Sequence, residues 1–319
     1  ISNGESGLKF YTLRNLDQLP QIDKVSDEHR HAIDVVARVL PFRANNYVVD
    51  ELIDWDNIPE DPIFQLTFPQ PGMLSDRQFR RMEAAVLSGR SKEEINSVAE
   101  AIRRKLNPHP EGQLQHNVPR LDDEPVPGVQ HKYRETVLVF PSAGQTCHAY
   151  CSFCFRWAQF VGMPDLKLAT DESMRFCEYL RRHKEVTDVL ITGGDPMVMR
   201  TDVLAKFIEP LLGPEFDHIQ TVRIGTKSLS FWPYRYLTDR DADGLLQLLE
   251  KVVASGKHLA IMAHVNHWRE LETPAVESAI QRIRSTGAVI RTQAPLIRRI
   301  NDDAAVWMRN WERQVHLVM

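Results

Sequence analysis

Residues 136–154, TVLVFPSAGQTCHAYCSFC, join a short apolar run to a loop that holds three cysteines. The run Thr136–Phe140 predicts a strand, because β-branched and aromatic residues favour extended backbone. Cys147, Cys151 and Cys154 follow it in the spacing C-x3-C-x2-C. A strand that leads directly into such a loop predicts that the chemistry of this chain lies at the carboxyl end of the strand.

The alternation of strands and helices continues along the rest of the chain. Further strands are predicted at Val186–Ile191, Ile219–Ile224, His258–Val265 and Ala288–Thr292. Amphipathic helices are predicted between them, at Asp171–His183, Thr201–Leu212, Asp241–Ala254 and Pro274–Ser285. This order predicts βαβ units around a parallel sheet, either doubly wound or closed into a complete or partial (β/α) barrel. His316–Met319 is predicted to begin a sixth strand.

The first part of the chain has a different pattern. Helices are predicted at Asp27–Leu40, Asp76–Met82 and Ser91–Leu106, and the last of these opens with Ser-x-x-Glu, a capping box. Residues 107–130 contain five prolines, which predicts a surface connection. We therefore predict a helical N-terminal region with a proline-rich connection over residues 1–132 and an α/β domain over residues 133–319.

Composition excludes several classes of function. The 319 residues carry a formal net charge of −4, which gives no general attraction to nucleic acid or to anionic membranes. No apolar run is long enough to span a bilayer, and the first residues do not form a signal peptide. We predict a cytoplasmic protein with no nucleic-acid or membrane partner. Because the chain does not begin with Met, we expect it to be part of a longer protein.

The three clustered cysteines indicate metal ligation. Four cysteines in a chain of this length do not make a disulfide scaffold, and the fourth, Cys177, stands apart. Thiolates ligate the irons of iron–sulfur clusters, and three of them leave one iron of a cubane open to another ligand. Structural zinc is the alternative, but it requires four ligands, and the fourth would be His148 or a distant residue such as Cys177.

Polar side chains also follow the later predicted strands. The second strand leads into ITGGDPM at residues 191–197, where two glycines let the backbone approach a ligand and Asp195 can accept hydrogen bonds from an ammonium group. Gly-Gly-Asp also makes ordinary turns, so its position one strand after a cysteine loop is what strengthens the interpretation. The other strand ends carry Arg223, Thr226, His264, Asn266, His267, Gln293, Asn301 and Asp302.

These motifs resemble those of radical S-adenosylmethionine enzymes, and more narrowly those of the lysine 2,3-aminomutase family. The cysteine motif alone indicates only the superfamily. The narrower resemblance depends on PVPGVQHKY, HVNH and RRIND, and the matching segments run in family order from about Leu40 to Asp303. They are LPFRANNYVVDELIDWDNIPEDPIFQLTFP, PVPGVQHKYRETVLVF, CSFCFRW, ITGGDPM, VRIGTKS, HVNHWRE and LIRRIND.

The resemblance implies a partial (β/α)6 barrel behind the helical N-terminal region. It implies that Cys147, Cys151 and Cys154 hold a 4Fe–4S cluster whose fourth iron binds S-adenosylmethionine. The residues that it implies for contacts with this second cofactor are Gly193, Gly194, Asp195, Arg223, His264 and Asn266. In the family, a 5′-deoxyadenosyl radical then acts on an amino acid held as a pyridoxal phosphate aldimine, and the amino group moves from carbon 2 to carbon 3.

The resemblance also implies substrate contacts. Arg156 matches an arginine that binds the substrate carboxylate, and Asp302 matches a carboxylate that recognises the distal amine of lysine. The alternatives are a loop-anchoring role for Arg156 and a helix N-cap for Asp302. Trp157 stands where lysine enzymes carry a basic residue, and HVNHWRE departs from the usual HxNHP. The family's Schiff-base lysine is expected beyond Met319, and Lys227 is interpreted as a surface or nucleotide-contacting residue instead.

Several hypotheses about function and partners follow. The leading one is an aminomutase that acts on lysine or a related basic amino acid and is reduced by a partner such as flavodoxin or ferredoxin. The long N-terminal region favours the free-amino-acid enzymes over the branch that modifies an elongation factor. The alternatives are a radical enzyme of the same fold without pyridoxal phosphate and a non-catalytic zinc-binding module. The oligomeric state is left open, with a homo-oligomer as one option.

Overall fold

The computed structural model describes residues 7–106, 108 and 112–319, with the backbone alone at residues 114 and 115. The part of the predicted connection at residue 107 and residues 109–111 lies outside the described residues. The chain divides into two compact units that interleave along the sequence. The first comprises Ile1–Pro110, His148–Leu166 and Leu296–Val306, and the second comprises Glu111–Cys147, Lys167–Pro295 and Trp307–Met319. The domain boundary predicted between residues 132 and 133 stays a prediction.

The first unit is mainly helical and contains the three helices predicted in the first part of the chain. Its elements are β1 Phe10–Tyr11, α1 Asp27–Ala37, β2 Ala44–Asn45, α2 Pro62–Thr67, α3 Asp76–Leu87 and α4 Lys92–Arg103. The predicted capping box is confirmed: the Ser91 hydroxyl accepts from the Glu94 N–H at 3.2 Å, and the Glu94 carboxylate accepts from the Ser91 N–H at 2.9 Å. The apolar faces of α1, α3 and α4 meet in a buried core that includes Val36, Met82 and Ile102.

The second unit is built on a six-stranded sheet. In chain order its elements are β3 Arg120–Leu121, β4 Glu124–Pro125, β5 Val129–Tyr133, β6 Thr136–Val139, β7 Asp188–Ile191, β8 Thr221–Thr226, β9 His258–His264 and β10 Val289–Gln293. The strand order is β10-β9-β8-β7-β6-β5, and all neighbours are parallel except the antiparallel pair β5 and β6. β3 and β4 form a separate two-stranded hairpin. The five strands predicted from sequence are confirmed, to within a few residues at their ends.

Four predicted helices connect the parallel strands: α6 Ser173–Arg182, α7 Thr201–Ile208, α9 Ala242–Ala254 and α10 Pro274–Ser285. A short helix that was not predicted, α8 Ser228–Phe231, also lies between β8 and β9. Two helices lie outside the parallel strands: α5 Gln113–His116 precedes β3, and α11 Ala304–His316 follows β10. The last of these begins in the first unit and continues into the second. No helix in the described part of the chain is both long enough and apolar enough to cross a membrane.

The two faces of the sheet differ in exposure. One face is fully buried, as shown by Val137, Val189, Val222 and Ile261. The alternate positions project to the other face, which we call the open face because its side chains are half-buried or exposed. The open face is lined by Leu138, Leu190, Arg223, Met262, His264, Arg291 and Gln293. Polar side chains on the open face are therefore at least partly accessible to solvent.

Two predictions about the chain were wrong or incomplete. His316–Met319 does not begin a strand: it ends α11, and the N–H of Leu317 donates to the Arg313 carbonyl at 3.0 Å. The edge strand β5 was missed, because the five prolines in the segment that leads into it predicted a connection. Gly128, with φ +65°, precedes β5, and a Cβ there would lie 2.4 Å from the Ala169 carbonyl carbon. That close packing holds a proline-rich segment against the sheet.

Candidate functional site

The Gly-Gly-Asp loop after β7 packs directly on the loop that leads to Cys147. The Asp195 N–H donates to the Gly144 carbonyl at 3.0 Å. A Cβ on Gly194 would lie 2.3 Å from the Thr146 carbonyl oxygen, closer than real side chains approach. Gly193 has φ +149°, and a Cβ there would lie 2.2 Å from the Gln145 side-chain nitrogen. Glycine is therefore required at 194 for the two loops to touch, because backbone stands in the way, and it is favoured at 193 by the positive φ.

The Asp195 side chain ties this loop to the end of β8. Its carboxylate accepts from the Thr226 hydroxyl at 2.6 Å, from the Lys227 N–H at 2.8 Å and from the Met197 N–H at 2.9 Å. Asp195 is buried, and burial raises the pKa of its carboxyl above the usual range, against the lowering effect of these hydrogen bonds. The structure therefore shows Asp195 fixing the strand ends, and its predicted contact with a cofactor stays a prediction.

A buried arginine holds the residues that directly follow the Gly-Gly-Asp loop. The Arg235 guanidinium is 3% exposed and donates to the carbonyls of Met197 at 2.9 Å and Met199 at 3.1 Å. It also donates to Asp241 at 2.6 Å. Partial burial acts to raise the pKa of Asp241, but hydrogen bonds from Thr201 and Arg235 outweigh it and hold that pKa at about 2. Sequence reasoning did not identify Arg235, since a lone arginine in WPYRYL carries no motif.

Lys227 connects β8 with the loop after β9. Its side chain is 9% exposed and forms an ion pair of 2.5 Å with Glu270, which is fully buried. The ammonium also donates to the Asn266 side-chain oxygen at 3.0 Å and to the His264 carbonyl at 3.1 Å. The interpretation of Lys227 as a surface residue was therefore wrong. Glu270 was not predicted either, because its partner is 43 residues away in the sequence.

The HVNH segment holds two neutral histidines at the end of β9. Burial lowers the pKa of His264 to about 3 and that of His267 to about 4, and the charge of Lys227 adds to the effect at His264. The His267 ring accepts from the Arg269 N–H at 3.3 Å and lies 5.1 Å from the Trp268 ring. Both histidines are therefore uncharged at neutral pH, and each can offer a neutral ring nitrogen.

Arg223 lies within β8 rather than after it. Its guanidinium forms a two-pronged ion pair with Asp188, the first residue of β7. Asp188 also accepts from the Thr136 hydroxyl at 2.8 Å, at the start of β6. This network draws the Arg223 side chain toward the amino ends of the strands. The predicted contact between Arg223 and a cofactor is not tested by this arrangement and stays a prediction.

Of the three clustered cysteines, Cys147 belongs to the second unit, and Cys151 and Cys154 belong to the first. None of the cysteines in the described residues forms a disulfide. The Cys154 N–H donates to the Cys151 carbonyl at 3.0 Å, and burial raises the pKa of the Cys154 thiol to about 11. A cavity of about 250 Å³ opens beside Cys151 and Cys154 and is otherwise lined mainly by apolar side chains. Within the described residues, no three His, Cys, Asp or Glu side chains converge on one metal-ion position.

The two predicted substrate residues both lie in the first unit. Arg156 is partly buried next to Cys154, and burial lowers its pKa to about 10 while the thiol counteracts this. Its guanidinium lies 5.0 Å from the centre of the Phe155 ring. Asp302 is exposed and accepts from the Arg299 N–H at 2.8 Å, whereas Asp303 accepts from the Ala305 N–H at 2.8 Å. The cap at the start of α11 is thus Asp303, and the substrate roles stay predictions.

Comparison with known proteins gives the family. No protein-family model matches the chain. It is 33% identical over 292 residues to a protein of Aquifex aeolicus that is provisionally named an L-lysine 2,3-aminomutase. The match covers 91% of this chain and 66% of that protein. The chain belongs to the lysine 2,3-aminomutase-like family.

Two other relatives share the name L-lysine 2,3-aminomutase. The protein of Bacillus subtilis is 24% identical over 93% of this chain, and that of Clostridium subterminale is 29% identical over 56% of it. The matches cover 52% and 40% of those two proteins. This member of the lysine 2,3-aminomutase-like family therefore spans between 40% and 66% of the length of these three curated relatives.

Proposed function

We propose that this protein is a radical S-adenosylmethionine aminomutase that moves the amino group of lysine, or of a related basic amino acid, from carbon 2 to carbon 3. One observation carries the proposal: the loop that leads to Cys147 and the Gly-Gly-Asp loop pack backbone to backbone at adjacent strand ends, with glycine required at 194. The names of the family members supply the substrate class.

The chemistry of the cysteine loop fits a 4Fe–4S cluster. A cubane binds each cysteine at a different iron, so the three thiols need not converge on one point as they would for a single ion. Cys147, Cys151 and Cys154 would supply three ligands and leave the fourth iron to S-adenosylmethionine. When bound, these two cofactors supply one-electron chemistry and pyridoxal phosphate supplies electron delocalisation at the substrate amino group.

The protein's own residues position the ligands. Asp195, held by Thr226 and Lys227, fixes the Gly-Gly-Asp backbone beside the cysteine loop. The neutral ring of His264, at the end of β9, can donate or accept a hydrogen bond at the site without adding a charge. The proposal assigns the substrate carboxylate to Arg156 and its distal amine to Asp302, because a guanidinium and a carboxylate are complementary to those groups.

Pyridoxal phosphate enters the proposal through the family alone. Lys227, the lysine at the strand ends, is ion-paired with Glu270 and is not assigned to that cofactor. We further propose that β6–β10 form the wall of a partial (β/α)6 barrel whose lumen is the open face. Reduction by a flavodoxin-like or ferredoxin-like partner completes the proposal.

The full-length protein, reconstituted without oxygen with iron and sulfide and then reduced, tests the proposal. We expect about four irons per chain, 5′-deoxyadenosine, and β-lysine formed from L-lysine. Cys151→Ser should abolish 5′-deoxyadenosine formation, whereas Cys177→Ala, at a buried position on α6, is the matched control and should retain it.

The other outcomes separate the alternatives. Formation of 5′-deoxyadenosine without β-lysine, whether or not pyridoxal phosphate is added, would indicate a radical enzyme with a different reaction. Tightly bound zinc with neither iron nor labile sulfide would overturn the proposal in favour of a zinc-binding module.

A further inference from the structure

We propose that Lys227 and Glu270 are positioning residues that set the geometry of the cofactor-binding loops at the ends of β7, β8 and β9. The inference rests on the proposed function only for the identity of the ligand, S-adenosylmethionine. Its basis in the structure is a continuous set of hydrogen bonds through a buried ion pair.

The first half of this set lies at the backbone of Lys227. Its N–H donates to the Asp195 carboxylate at 2.8 Å, and the Thr226 hydroxyl donates to the other oxygen of the same carboxylate at 2.6 Å. The position of the Gly-Gly-Asp loop is therefore coupled to the backbone at the end of β8. A shift of the Lys227 backbone would therefore change the position of the Asp195 carboxylate.

The second half lies at the side chain of Lys227. The ammonium donates to Glu270 at 2.5 Å, to the Asn266 side chain at 3.0 Å and to the His264 carbonyl at 3.1 Å. Its three donors are thus all used. It also lies 4.2 Å from the centre of the Phe231 ring, which favours a cation.

Glu270 completes the connection by holding the loop after β9. One carboxylate oxygen accepts from the N–H groups of Asn266 at 2.9 Å and His267 at 3.0 Å, while the other accepts from Lys227. One residue thereby fixes two consecutive backbone groups of the HVNH segment. Because Lys227 and Glu270 hydrogen-bond to Asn266, and Lys227 also to the His264 carbonyl, the orientation of both residues depends on this pair. Both are predicted cofactor contacts.

A buried ion pair is a weak device for stability alone. Desolvation of both charges offsets much of their attraction, and replacing both members by uncharged groups is often neutral, whereas removing one member is strongly destabilising. What the pair does provide is a fixed geometry among three strand ends. A role in stability and a role in positioning therefore predict different results for a double variant.

The test compares Lys227→Met, Glu270→Gln and the double variant. Glu270→Gln keeps an acceptor for the Asn266 and His267 N–H groups, so the double variant removes chiefly the link to β8. The matched control is Lys251→Met with Glu209→Gln, an ion pair of 2.8 Å in the same unit whose side chains are 60% and 49% exposed. The measurements are the melting temperature, amide hydrogen exchange without ligand, and the dissociation constant for S-adenosylmethionine on the cluster-loaded protein.

We expect Lys227→Met to melt at the lowest temperature and the double variant to regain most of the loss. In the double variant, exchange of the Asn266 and His267 amides should still be on the order of tenfold faster than in the wild type. The dissociation constant for S-adenosylmethionine should rise by a similar factor. The control pair should change none of the three.

Exchange and affinity that recover together with the melting temperature would overturn the positioning role and leave a structural one. A wild-type protein that does not bind S-adenosylmethionine would instead contradict the proposed function. In that case the exchange rates of Asn266 and His267 would still decide whether the pair positions the loop.

Discussion

Gly194 lies against Thr146 so closely that a Cβ at residue 194 would stand 2.3 Å from the Thr146 carbonyl oxygen and 2.5 Å from its nitrogen. The atoms in the way are backbone, which cannot turn aside as the end of a long side chain can. Any larger residue at 194 must therefore separate the Gly-Gly-Asp loop from the residues that precede Cys147.

Gly194→Ala should consequently lower both stability and cluster incorporation. We expect a loss of about 1–3 kcal/mol in the free energy of unfolding, the usual cost of forcing an extra methyl group into a packed site. Urea unfolding and iron content after anaerobic reconstitution are the measurements. Gly213→Ala is the control, because the nearest atom to a Cβ there is 3.6 Å away and its φ of −74° suits alanine. Equal iron content in the two variants would contradict the prediction.

Much of the sheet could be predicted from sequence, because a local residue pattern indicates each of its parallel strands. Val186–Ile191 and His258–Val265 are apolar runs between amphipathic helices, and this pattern is typical of parallel strands. The run at His316–Met319 has a similar composition but ends a helix. Local composition could not tell these two cases apart, since the contacts of α11, such as the hydrogen bond between Gln314 and Thr292, join distant residues.

The site was predictable where a motif is continuous and not where a contact is long-range. ITGGDPM could be singled out as a candidate loop because its glycines are adjacent, and the structure shows that it packs on the loop that leads to Cys147. Lys227 and Glu270 are separated by 43 residues, and Arg235 reaches carbonyls 36 and 38 residues away. Such partners become neighbours only when β7, β8 and β9 align, so no local pattern indicates them.

Arg235 should be among the most sensitive residues of the second unit. Arg235→Met would leave the carbonyls of Met197 and Met199 without the guanidinium that donates to them. It would also remove the cation beside the ionised Asp241, which would keep only its hydrogen bonds from Thr201. Leaving a buried acceptor without a donor costs about 1–3 kcal/mol. Because the Asp241 side chain is 37% exposed, its loss of a partner costs less than the value of about 3–5 kcal/mol for a fully buried pair. We expect a total loss of about 2–4 kcal/mol in the free energy of unfolding.

Two comparisons make the Arg235 experiment specific. Arg200→Met, at a side chain that is 80% exposed, should change the unfolding free energy by less than about 0.5 kcal/mol. Adding Asp241→Asn to Arg235→Met should cost less than the sum of the two single changes, because the uncompensated charge is then removed. Strict additivity would mean that the ion pair does not contribute.

His267 should make stability depend on pH on the acidic side of neutrality. Burial, with the nearby charges of Arg269 and Arg309, lowers its folded pKa to about 4, so the folded protein favours the neutral ring. The stabilisation is complete above the unfolded pKa of about 6.5 and is lost as the pH falls toward the folded value. At about pH 5, linkage gives a loss of about 2 kcal/mol from this residue.

The measurement is the difference in unfolding free energy between wild type and His267→Asn at about pH 7 and about pH 5. Asparagine can keep an acceptor for the Arg269 N–H, which the His267 ring now accepts at 3.3 Å. His264 is present in both proteins and cancels in the difference. We expect the advantage of the wild type to shrink by about 2 kcal/mol on acidification; a difference that does not change with pH would show that His267 is not buried as described.

The fourth cysteine offers a separate test of which thiols ligate the proposed cluster. Cys177 is fully buried on α6, and burial raises the pKa of its thiol to about 11, so both access and thiolate content are low. Cys147 and Cys151 are partly exposed. In the cluster-free protein, iodoacetamide should therefore modify Cys147 and Cys151 faster than Cys177 by on the order of tenfold or more, as followed by mass spectrometry.

Loading the cluster should then protect Cys147 and Cys151 and leave the slow rate of Cys177 unchanged. In urea, after the cluster is removed, all four cysteines should react at the same rate. Rapid modification of Cys147 or Cys151 in fully loaded protein would exclude that residue as a ligand.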